Sequence, residues 1–229
     1  MAESEIIIMN RFELLTFDCY GTLIDWDLGM RDALEKFSKK RNLSLDLEKF
    51  AERYIQIELE VEQEKYRRYR EVLVIGVRKL FTELGIVLAP DEESMFADTI
   101  AKWPPFAETK PVLEQLRKKY KLVILSNIDE DIIRQSAKLI GVKFDGFVTA
   151  EQTKSYKPNH GHWKRMLETF KIPKENVLHI AASYVHDIVP AKELGFKTVW
   201  INRKSEPIQG TAKPDYEFKD LKPLVELLR

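Results

Sequence analysis

The chain has 229 residues, of which 44% are hydrophobic and 10% aromatic, so it carries enough apolar material for a packed core and general disorder is excluded. Its 37 basic and 37 acidic residues give a formal net charge of zero, which predicts no general attraction to nucleic acid or to a membrane surface. The lone cysteine, Cys19, excludes an internal disulfide and fits a cytoplasmic location. The apolar run at residues 6–9 is too short for a signal peptide, and no run reaches the roughly 20 residues of a membrane span.

Predicted strands and helices alternate along most of the chain. Short apolar runs predict buried strands at residues 12–17, 121–126, 147–150, 176–181 and 197–201. In the first half of the chain, helices are predicted from residue 28 onward, over residues 45–84, and after a cap at Thr109. In the second half, they are predicted over residues 129–139 before Gly141, from a cap at Asn159 to residue 170, up to residue 194 before Gly195, and over residues 221–228. This alternation favours an α/β fold with a parallel sheet and helices on both of its faces.

The segment from residue 28 to residue 102 shows a helical pattern and no strand signal. Within it, an apolar stripe recurs at three- and four-residue steps, at Leu47, Phe50, Tyr54, Ile57 and Val61. We therefore expect a core domain of residues 1–27 and 103–229, with residues 28–102 inserted after the first strand as a helical domain. Such an insertion can cover the carboxyl ends of the strands, where open α/β sheets bind ligands.

Polar residues follow four of the predicted strands. Asp18 ends the first strand, Ser126 and Asn127 end the second, Lys157 follows the third, and Asp187 follows the fourth. Taken singly, these residues have structural explanations such as turn stabilisation, helix capping or solvation. Because the carboxyl ends of parallel strands meet at one edge of a sheet, their convergence there favours an active site.

The stretches FDCYGTLID, LSN, SYKP and HDIVPAKELGFKTVWINR resemble, in this order, the motifs of the haloacid dehalogenase superfamily, and within it those of the 2-haloacid dehalogenase (type II) branch. The resemblance implies a Rossmann-like core, a helical cap and a nucleophilic aspartate, here Asp18. A carboxylate can attack carbon or phosphorus to form an ester that water then cleaves. Lys157 stands at the family's lysine position, where an ion pair would keep Asp18 charged. Thr22 and Ser126 can hydrogen-bond the reacting carboxylates, and Asp187, by resemblance, orients Lys157 or the hydrolytic water.

Five further residues are predicted to bind the substrate. Asn127 and the backbone N–H groups near Cys19 and Tyr20 are expected to hold the substrate carboxylate. Trp163 stands at the family's aromatic position after the lysine motif, and Tyr184 lies in the run before the last aspartate, so both are expected near the substrate. A buried structural role is the alternative for the Cys19 thiol and for the Trp163 ring.

Two departures from the superfamily's phosphatases bear on the reaction. Tyr20 stands where those enzymes usually have a second aspartate, and Ala181 and Ala182 stand where they usually have a Gly-Asp pair that helps to hold Mg²⁺. Displacement of halide at carbon needs neither group, because a halide leaves without protonation. The sequence therefore favours a 2-haloacid dehalogenase that needs no cofactor and converts a small 2-halocarboxylate into the 2-hydroxy acid. A Mg²⁺-dependent phosphatase of small metabolites and a non-catalytic member of the fold are the alternatives.

One expected feature of the dehalogenase branch is missing from the sequence. The branch usually has a Trp-Arg pair in its cap that grips the leaving halide, and Tyr54 and Ile55 align there without an arginine. Arg67, Arg68 or Arg70 could take over that contact, while the alternative is that this charge run forms a solvated helix face. Family members are often dimers, so a homodimer is a further expectation.

The four histidines do not form a zinc pattern. His179 falls within a predicted strand and is expected in the core. His186 directly precedes Asp187, and a surface position is expected for it, with a contact to the site as the alternative.

Overall fold

The computed structural model describes residues 12–229, so the apolar run at residues 6–9 lies outside the described range. Six strands are present: β1 (Leu14–Phe17), β2 (Lys121–Ser126), β3 (Gly146–Thr149), β4 (Val177–Ala181), β5 (Lys197–Ile201) and β6 (Tyr216–Phe218). They form one sheet in the order β3-β2-β1-β4-β5-β6, and every neighbouring pair is parallel. The predicted α/β fold with a parallel sheet is confirmed.

Helices cover both faces of this sheet. They are α1 (Trp26–Arg41), α2 (Leu47–Glu64), α3 (Tyr69–Glu83), α4 (Pro90–Glu93), α5 (Thr109–Leu116), α6 (Glu130–Ile140), α7 (Ala150–Thr153), α8 (Gly161–Phe170), α9 (Val189–Glu193) and α10 (Leu224–Leu227). Successive side chains of β1 point to opposite faces of the sheet, because side chains alternate along a strand. Leu14 packs in one hydrophobic cluster with Trp163 of α8, and Leu15 packs in the other. None of the helices in the described range combines the length and hydropathy that crossing a membrane demands.

The order of the strands determines where a ligand can bind. The chain leaves β1 for β2 on one side and reaches β4 on the other, so the carboxyl ends of β1 and β4 border the crevice of the sheet. Directly after β1 the backbone turns sharply at Gly21, whose φ of +89° is easily adopted only by glycine. The N–H groups of Leu23 and Ile24 then donate to the Cys19 carbonyl at 2.7 and 2.9 Å. This turn holds residues 18–22 at the crevice.

The segment from Trp26 to Lys102 consists of α1 to α4, a 3₁₀ turn and loops, and it contains no strand. The predicted apolar stripe of α2 is buried from Phe50 to Val61. The segment packs closely against the core, since a Cβ on Gly29 of α1 would lie only 2.2 Å from the ring of Trp103.

The helical pattern over residues 45–84 is interrupted in the structure. Helix α2 ends at Glu64, Lys65 is extended, and α3 begins at Tyr69. The Asp129 carboxylate of the core accepts hydrogen bonds from the backbone N–H groups of Tyr69 and Arg70 at 2.9 and 3.0 Å. These are donors that a helix start leaves unpaired, so a residue distant in sequence stabilises the new helix.

Two predicted helix caps were wrong. Thr109 is the first residue of α5, and its hydroxyl donates to the Leu23 carbonyl at 2.8 Å instead of capping its own helix. Helix α8 begins at Gly161, so the preceding residue is His160 and not Asn159, and it makes no side-chain cap hydrogen bond. For Thr109, a long-range hydrogen bond thus takes the place of the local cap.

The last part of the chain also differs from expectation. The three-residue strand β6 was not predicted, because it is too short to show a periodic pattern. Residues Tyr184–Ile188 form a π-helical turn before α9, where a continuous helix was expected. The last helix covers only Leu224–Leu227, less than the predicted residues 221–228.

Candidate active site

Lys157 links the two carboxylates at the carboxyl edge of the sheet. Its Nζ lies 3.0 Å from Oδ1 of Asp18 and 2.6 Å from Oδ1 of Asp187, and it also donates to the Leu125 carbonyl at 3.0 Å. An ammonium group has three N–H donors, so all three are satisfied. All three ionisable side chains are buried. The structure therefore brings together Asp18, Lys157 and Asp187 in one buried ion-pair cluster.

The surroundings give the two carboxylates different acidities. Burial raises the pKa of Asp18, the Lys157 ammonium opposes that rise, and the negative charge of Asp187 adds to it. Burial also acts to raise the pKa of Asp187, but Lys157 and a hydrogen bond from His179 outweigh it and lower that pKa to about 2. For Lys157, burial lowers the pKa, and the two carboxylates overcome this so that its pKa is raised. Asp187 is thus the permanent counter-ion of the lysine, and Asp18 is the more basic and more nucleophilic carboxylate.

Thr22 holds the second oxygen of Asp18. Its hydroxyl donates to Asp18 Oδ2 at 2.8 Å and accepts a hydrogen bond from the Ala182 N–H at 2.9 Å. Both oxygens of Asp18 therefore have a fixed donor, Thr22 on one and Lys157 on the other. The same hydroxyl ties the turn after β1 to the end of β4.

Ser126 and Asn127 lie at the end of β2, beside the lysine. Ser126 is buried, and its carbonyl accepts a hydrogen bond from Nε2 of His162 at 3.1 Å. Asn127 engages the Lys157 backbone twice: its Oδ1 accepts from the Lys157 N–H at 2.7 Å, and its Nδ2 donates to the Lys157 carbonyl at 3.1 Å. The amide of Asn127 thus positions the lysine loop, whereas the sequence suggested that it holds the substrate carboxylate.

The turn after Asp18 presents backbone groups more than side chains. The Cys19 thiol is buried, and burial raises its pKa well above the usual value, so it is a poor nucleophile. The Tyr20 hydroxyl is turned toward α6, where it lies 2.7 Å from the Ser136 hydroxyl. Within residues 12–229, neither the Cys19 N–H nor the Tyr20 N–H donates a hydrogen bond. Both N–H groups therefore have capacity to bind an anion.

The structure places Trp163 and Tyr184 in buried packing positions. Trp163 is completely buried, and the centroids of its ring and the His179 ring lie 5.4 Å apart in a T-shaped arrangement. The Tyr184 hydroxyl donates a hydrogen bond to the Ala212 carbonyl at 2.7 Å. The centroids of the Tyr184 and Trp200 rings lie 5.3 Å apart. These contacts give both aromatic residues a structural role, and their contact with a substrate stays a prediction.

The three candidate arginines of the helical segment are all engaged in ion pairs with acidic residues. Arg67 pairs with Glu64 at 2.7 Å, and Arg68 and Arg70 pair with Asp131 at 3.0 and 3.2 Å. Asp131 belongs to α6, so two of these pairs join the start of α3 to the core. Arg68 and Arg70 thus link the helical segment to the core, Arg67 pairs within that segment, and the structure does not assign any of the three a contact with a halide.

Sequence reasoning missed two glutamates of α2 whose pKa values are raised. Glu58 accepts a hydrogen bond from the Tyr69 hydroxyl at 2.5 Å, and burial raises its pKa to about 7. Glu62 lies one helical turn further along, and burial and Glu58 together raise its pKa, while the charge of Lys157 lowers it. The sequence signal was their spacing, because Tyr54, Glu58 and Glu62 follow one another at four-residue steps on one side of the helix.

Two histidines flank Asp187. His179 is buried, as the sequence predicted, but its Nε2 also lies 3.0 Å from Asp187 Oδ1 and its Nδ1 lies 2.9 Å from the Thr16 hydroxyl. His186 is half-buried rather than on the surface, and its Nδ1 lies 3.0 Å from the Ser183 hydroxyl. Burial lowers the pKa of His186, and the charge of Asp187 acts against that shift.

The arrangement also bears on metal binding. Among residues 12–229, no group of three or more His, Cys, Asp or Glu side chains is placed to hold a metal ion. The Lys157 ammonium contacts Oδ1 of both Asp18 and Asp187, at 3.0 and 2.6 Å. The ammonium group thus supplies positive charge to both carboxylates.

With this geometry established, the comparisons with known proteins define the family. The model of the haloacid dehalogenase-like hydrolases matches residues 12–195, so the chain belongs to this family of hydrolases. The chain is 26% identical over 227 residues to an (S)-2-haloacid dehalogenase of Pseudomonas sp. (strain YL), covering 96% of this chain and 95% of that one. It is 24% identical over 226 residues to haloacetate dehalogenase H-2 of Moraxella sp. (strain B), covering 96% and 99% of the two chains.

A solved structure shows the same fold. The L-2-haloacid dehalogenase of Xanthobacter autotrophicus with chloropropionic acid covalently bound superimposes with a TM-score of 0.83 at 18% identity, covering 95% of this chain and 98% of that one. The fold predicted from the sequence motifs is therefore confirmed over nearly the whole chain.

Proposed function

We propose that this chain is a 2-haloacid dehalogenase that uses Asp18 as its nucleophile, with a small 2-halocarboxylate as substrate and the 2-hydroxy acid as product. The observation that carries the proposal is the contact of 3.0 Å between Lys157 Nζ and Asp18 Oδ1 at the end of β1. The ion pair keeps a buried carboxylate ionised, as nucleophilic attack requires. The names of the relatives from Pseudomonas and Moraxella support a halogenated carboxylic acid as the substrate class.

In the first step a carboxylate oxygen of Asp18 attacks the carbon that bears the halogen. A new C–O bond forms, the carbon–halogen bond breaks, and the halide leaves with the bonding electron pair. Thr22 and Lys157 hold the two oxygens of Asp18 and so fix the direction of attack. The free N–H groups of Cys19 and Tyr20 are suited to bind the substrate carboxylate, as backbone donors of a tight turn commonly bind anions.

In the second step water attacks the carbonyl carbon of the Asp18 ester. The bond between that carbonyl carbon and the ester oxygen, which Asp18 supplied in the first step, breaks. This restores the Asp18 carboxylate with one oxygen from water and releases the 2-hydroxy acid and one proton. Lys157 lies beside Asp18, where its charge stabilises the negative charge that develops on the ester oxygen. No step requires a metal ion.

We further propose that residues 28–102 act as a cap that excludes bulk water during the first step. The hydrogen bonds from Tyr69 and Arg70 to Asp129 support this role, because they join the helical segment to the core beside the site. A cytoplasmic location suits the protein, since its single thiol, Cys19, has no partner for a disulfide.

The test is a halide-release screen with purified protein. The substrates are chloroacetate, bromoacetate, fluoroacetate and each enantiomer of 2-chloropropionate, each with and without EDTA, and a generic phosphate ester is assayed in parallel. We expect halide release that EDTA leaves unchanged and that Asp18→Asn abolishes. Phosphate release that EDTA abolishes, without halide release, would overturn the proposal in favour of a phosphatase.

A further inference from the structure

We propose that His179 is a positioning residue of this active site, which holds Asp187 against Lys157 and is needed chiefly for hydrolysis of the Asp18 ester. This inference rests on the proposed function and goes beyond it. The neighbours of His179 along β4 are apolar, so packing of the strand alone does not require a histidine at this position. The structure gives it a polar partner on each ring nitrogen.

The contacts form one continuous buried chain. The Thr16 hydroxyl lies 2.9 Å from Nδ1 of His179, Nε2 of His179 lies 3.0 Å from Asp187 Oδ1, and the same oxygen lies 2.6 Å from Lys157 Nζ. Lys157 then reaches Asp18 at 3.0 Å. Thr16 and His179 are paired across β1 and β4, so the sheet itself fixes the start of the chain.

The hydrogen positions follow from the partners. A carboxylate oxygen only accepts, so Nε2 of His179 carries the hydrogen that it donates to Asp187. On the other side of the ring, Nδ1 lies 2.9 Å from the Thr16 hydroxyl, which also lies 3.4 Å from the Leu178 carbonyl. The edge of the Trp163 ring packs against the imidazole and limits its rotation. His179 is thereby fixed as a donor to Asp187.

The change of charge during the reaction explains why the second step depends most on this bond. Before the reaction, Lys157 lies between two carboxylates and is held from both sides. Once Asp18 has become an ester it carries no charge, and Asp187 is then the remaining anionic partner of Lys157 in the cluster. The position of the lysine at the ester therefore depends on how firmly His179 holds Asp187.

The same bond affects the acidity of Asp187. The groups that act on this carboxyl are Lys157 from the loop after β3, His179 from β4 and Asp18 from the turn after β1, while His186 on its own turn and His162 of α8 also lie within range of its charge. The hydrogen bond from His179 lowers the pKa of Asp187. Its removal therefore raises that pKa, so the carboxyl takes up a proton at higher pH than in the wild type.

The experiment compares His179→Leu, which removes the donor, with His179→Gln, whose amide N–H can replace Nε2. We expect His179→Leu to release about one halide per site rapidly and then to turn over about 10- to 100-fold more slowly than wild type, the range for loss of a hydrogen bond to a charged group. Mass spectrometry of acid-quenched samples should show the Asp18 ester accumulating. His179→Gln should recover most of the turnover, and Thr16→Val, at the far end of the chain, should have a smaller effect.

A second readout needs no substrate. Carbon-13 NMR of labelled aspartate should show Asp187 titrating at higher pH in His179→Leu than in wild type, with His179→Gln resembling wild type. If Leu and Gln variants behave alike in both ester accumulation and Asp187 titration, His179 is a packing residue and the inference is overturned. If wild type releases no halide but the titration shifts as expected, the proposed function fails while the positioning of Asp187 by His179 stands.

Discussion

Replacing Lys157 by methionine tests the ion-pair cluster as a unit. The change keeps a long apolar side chain but removes the ammonium that contacts Asp18 at 3.0 Å, Asp187 at 2.6 Å and the Leu125 carbonyl at 3.0 Å. Two buried carboxylates then face each other without a cation. Because the removal of one partner from a buried ion pair usually costs about 3–5 kcal/mol, we expect a loss of that size in the free energy of unfolding at pH 7.

The loss should depend on pH in a defined direction. Without the lysine, burial raises the pKa of both carboxyls above their unfolded values, so the folded variant binds more protons than the unfolded chain. The variant therefore becomes more stable as the pH falls. The difference in the free energy of unfolding between wild type and variant should be smaller at pH 5 than at pH 7. Urea unfolding at the two pH values measures the loss at pH 7 and its change with pH, provided that the free energy of unfolding depends on urea concentration with the same slope in both proteins.

An exposed ion pair of similar length provides the control. Lys204 lies 2.7 Å from Asp27, but the two side chains are 60% and 39% exposed. Lys204→Met should therefore cost less than about 1 kcal/mol at both pH values. Equal losses in the two variants, or a loss in Lys157→Met that does not shrink at pH 5, would refute the reasoning that burial makes the cluster costly to break.

Three further predictions concern single contacts. Thr22→Val removes the hydrogen bond of 2.8 Å to Asp18 and should lower kcat/KM for halide release about 10- to 100-fold, whereas Thr22→Ser should retain most of the activity. Asp129→Ala leaves the first N–H groups of α3 without acceptors and should lower the free energy of unfolding by at least about 1–2 kcal/mol in urea titrations; no loss would show that water replaces the carboxylate. Glu58, with its pKa raised to about 7 by burial, binds a proton more readily in the folded state, so its contribution favours folding at acidic pH and is lost as the pH rises to about 7. Glu58→Gln should therefore be more stable than wild type at pH 8 and lose that advantage near pH 5, and a constant difference would contradict the raised pKa.

The elements with strong local signals could be predicted from the sequence. Residues 14–17 are completely buried and almost continuously apolar, which is typical of a central parallel strand. Gly141 and Gly195 both have positive φ at the ends of helices, as their positions in the pattern indicated. These features depend on neighbours in the chain, so a single sequence contains the information.

The features that were missed depend on residues far apart in the chain. The start of α3 at Tyr69 requires the carboxylate of Asp129, 60 positions away. Likewise, Thr109 turns its hydroxyl to Leu23, 86 positions away, and so does not cap its own helix. No periodic pattern records such contacts.

The candidate site likewise contains residues whose positions could be predicted from the sequence and side chains whose partners could not. Asp18, Lys157 and Asp187 stand at strand ends, and the topology of a parallel sheet alone predicts that they meet. Whether an individual side chain faces a substrate depends on its rotamer and its partners, which is why Asn127 and Tyr184 turned out to be engaged elsewhere.

The most direct test of the central claim is a single turnover in ¹⁸O-water with enzyme in excess over a 2-halocarboxylate that the screen shows to be a substrate. If Asp18 is the nucleophile, the oxygen of the first product molecule comes from the aspartate and the water oxygen enters the Asp18 carboxylate. Mass spectrometry of the peptide that contains Asp18 should then show ¹⁸O, while the 2-hydroxy acid carries none. Label in the 2-hydroxy acid with none in that peptide would contradict the account, because water would then have displaced the halide directly.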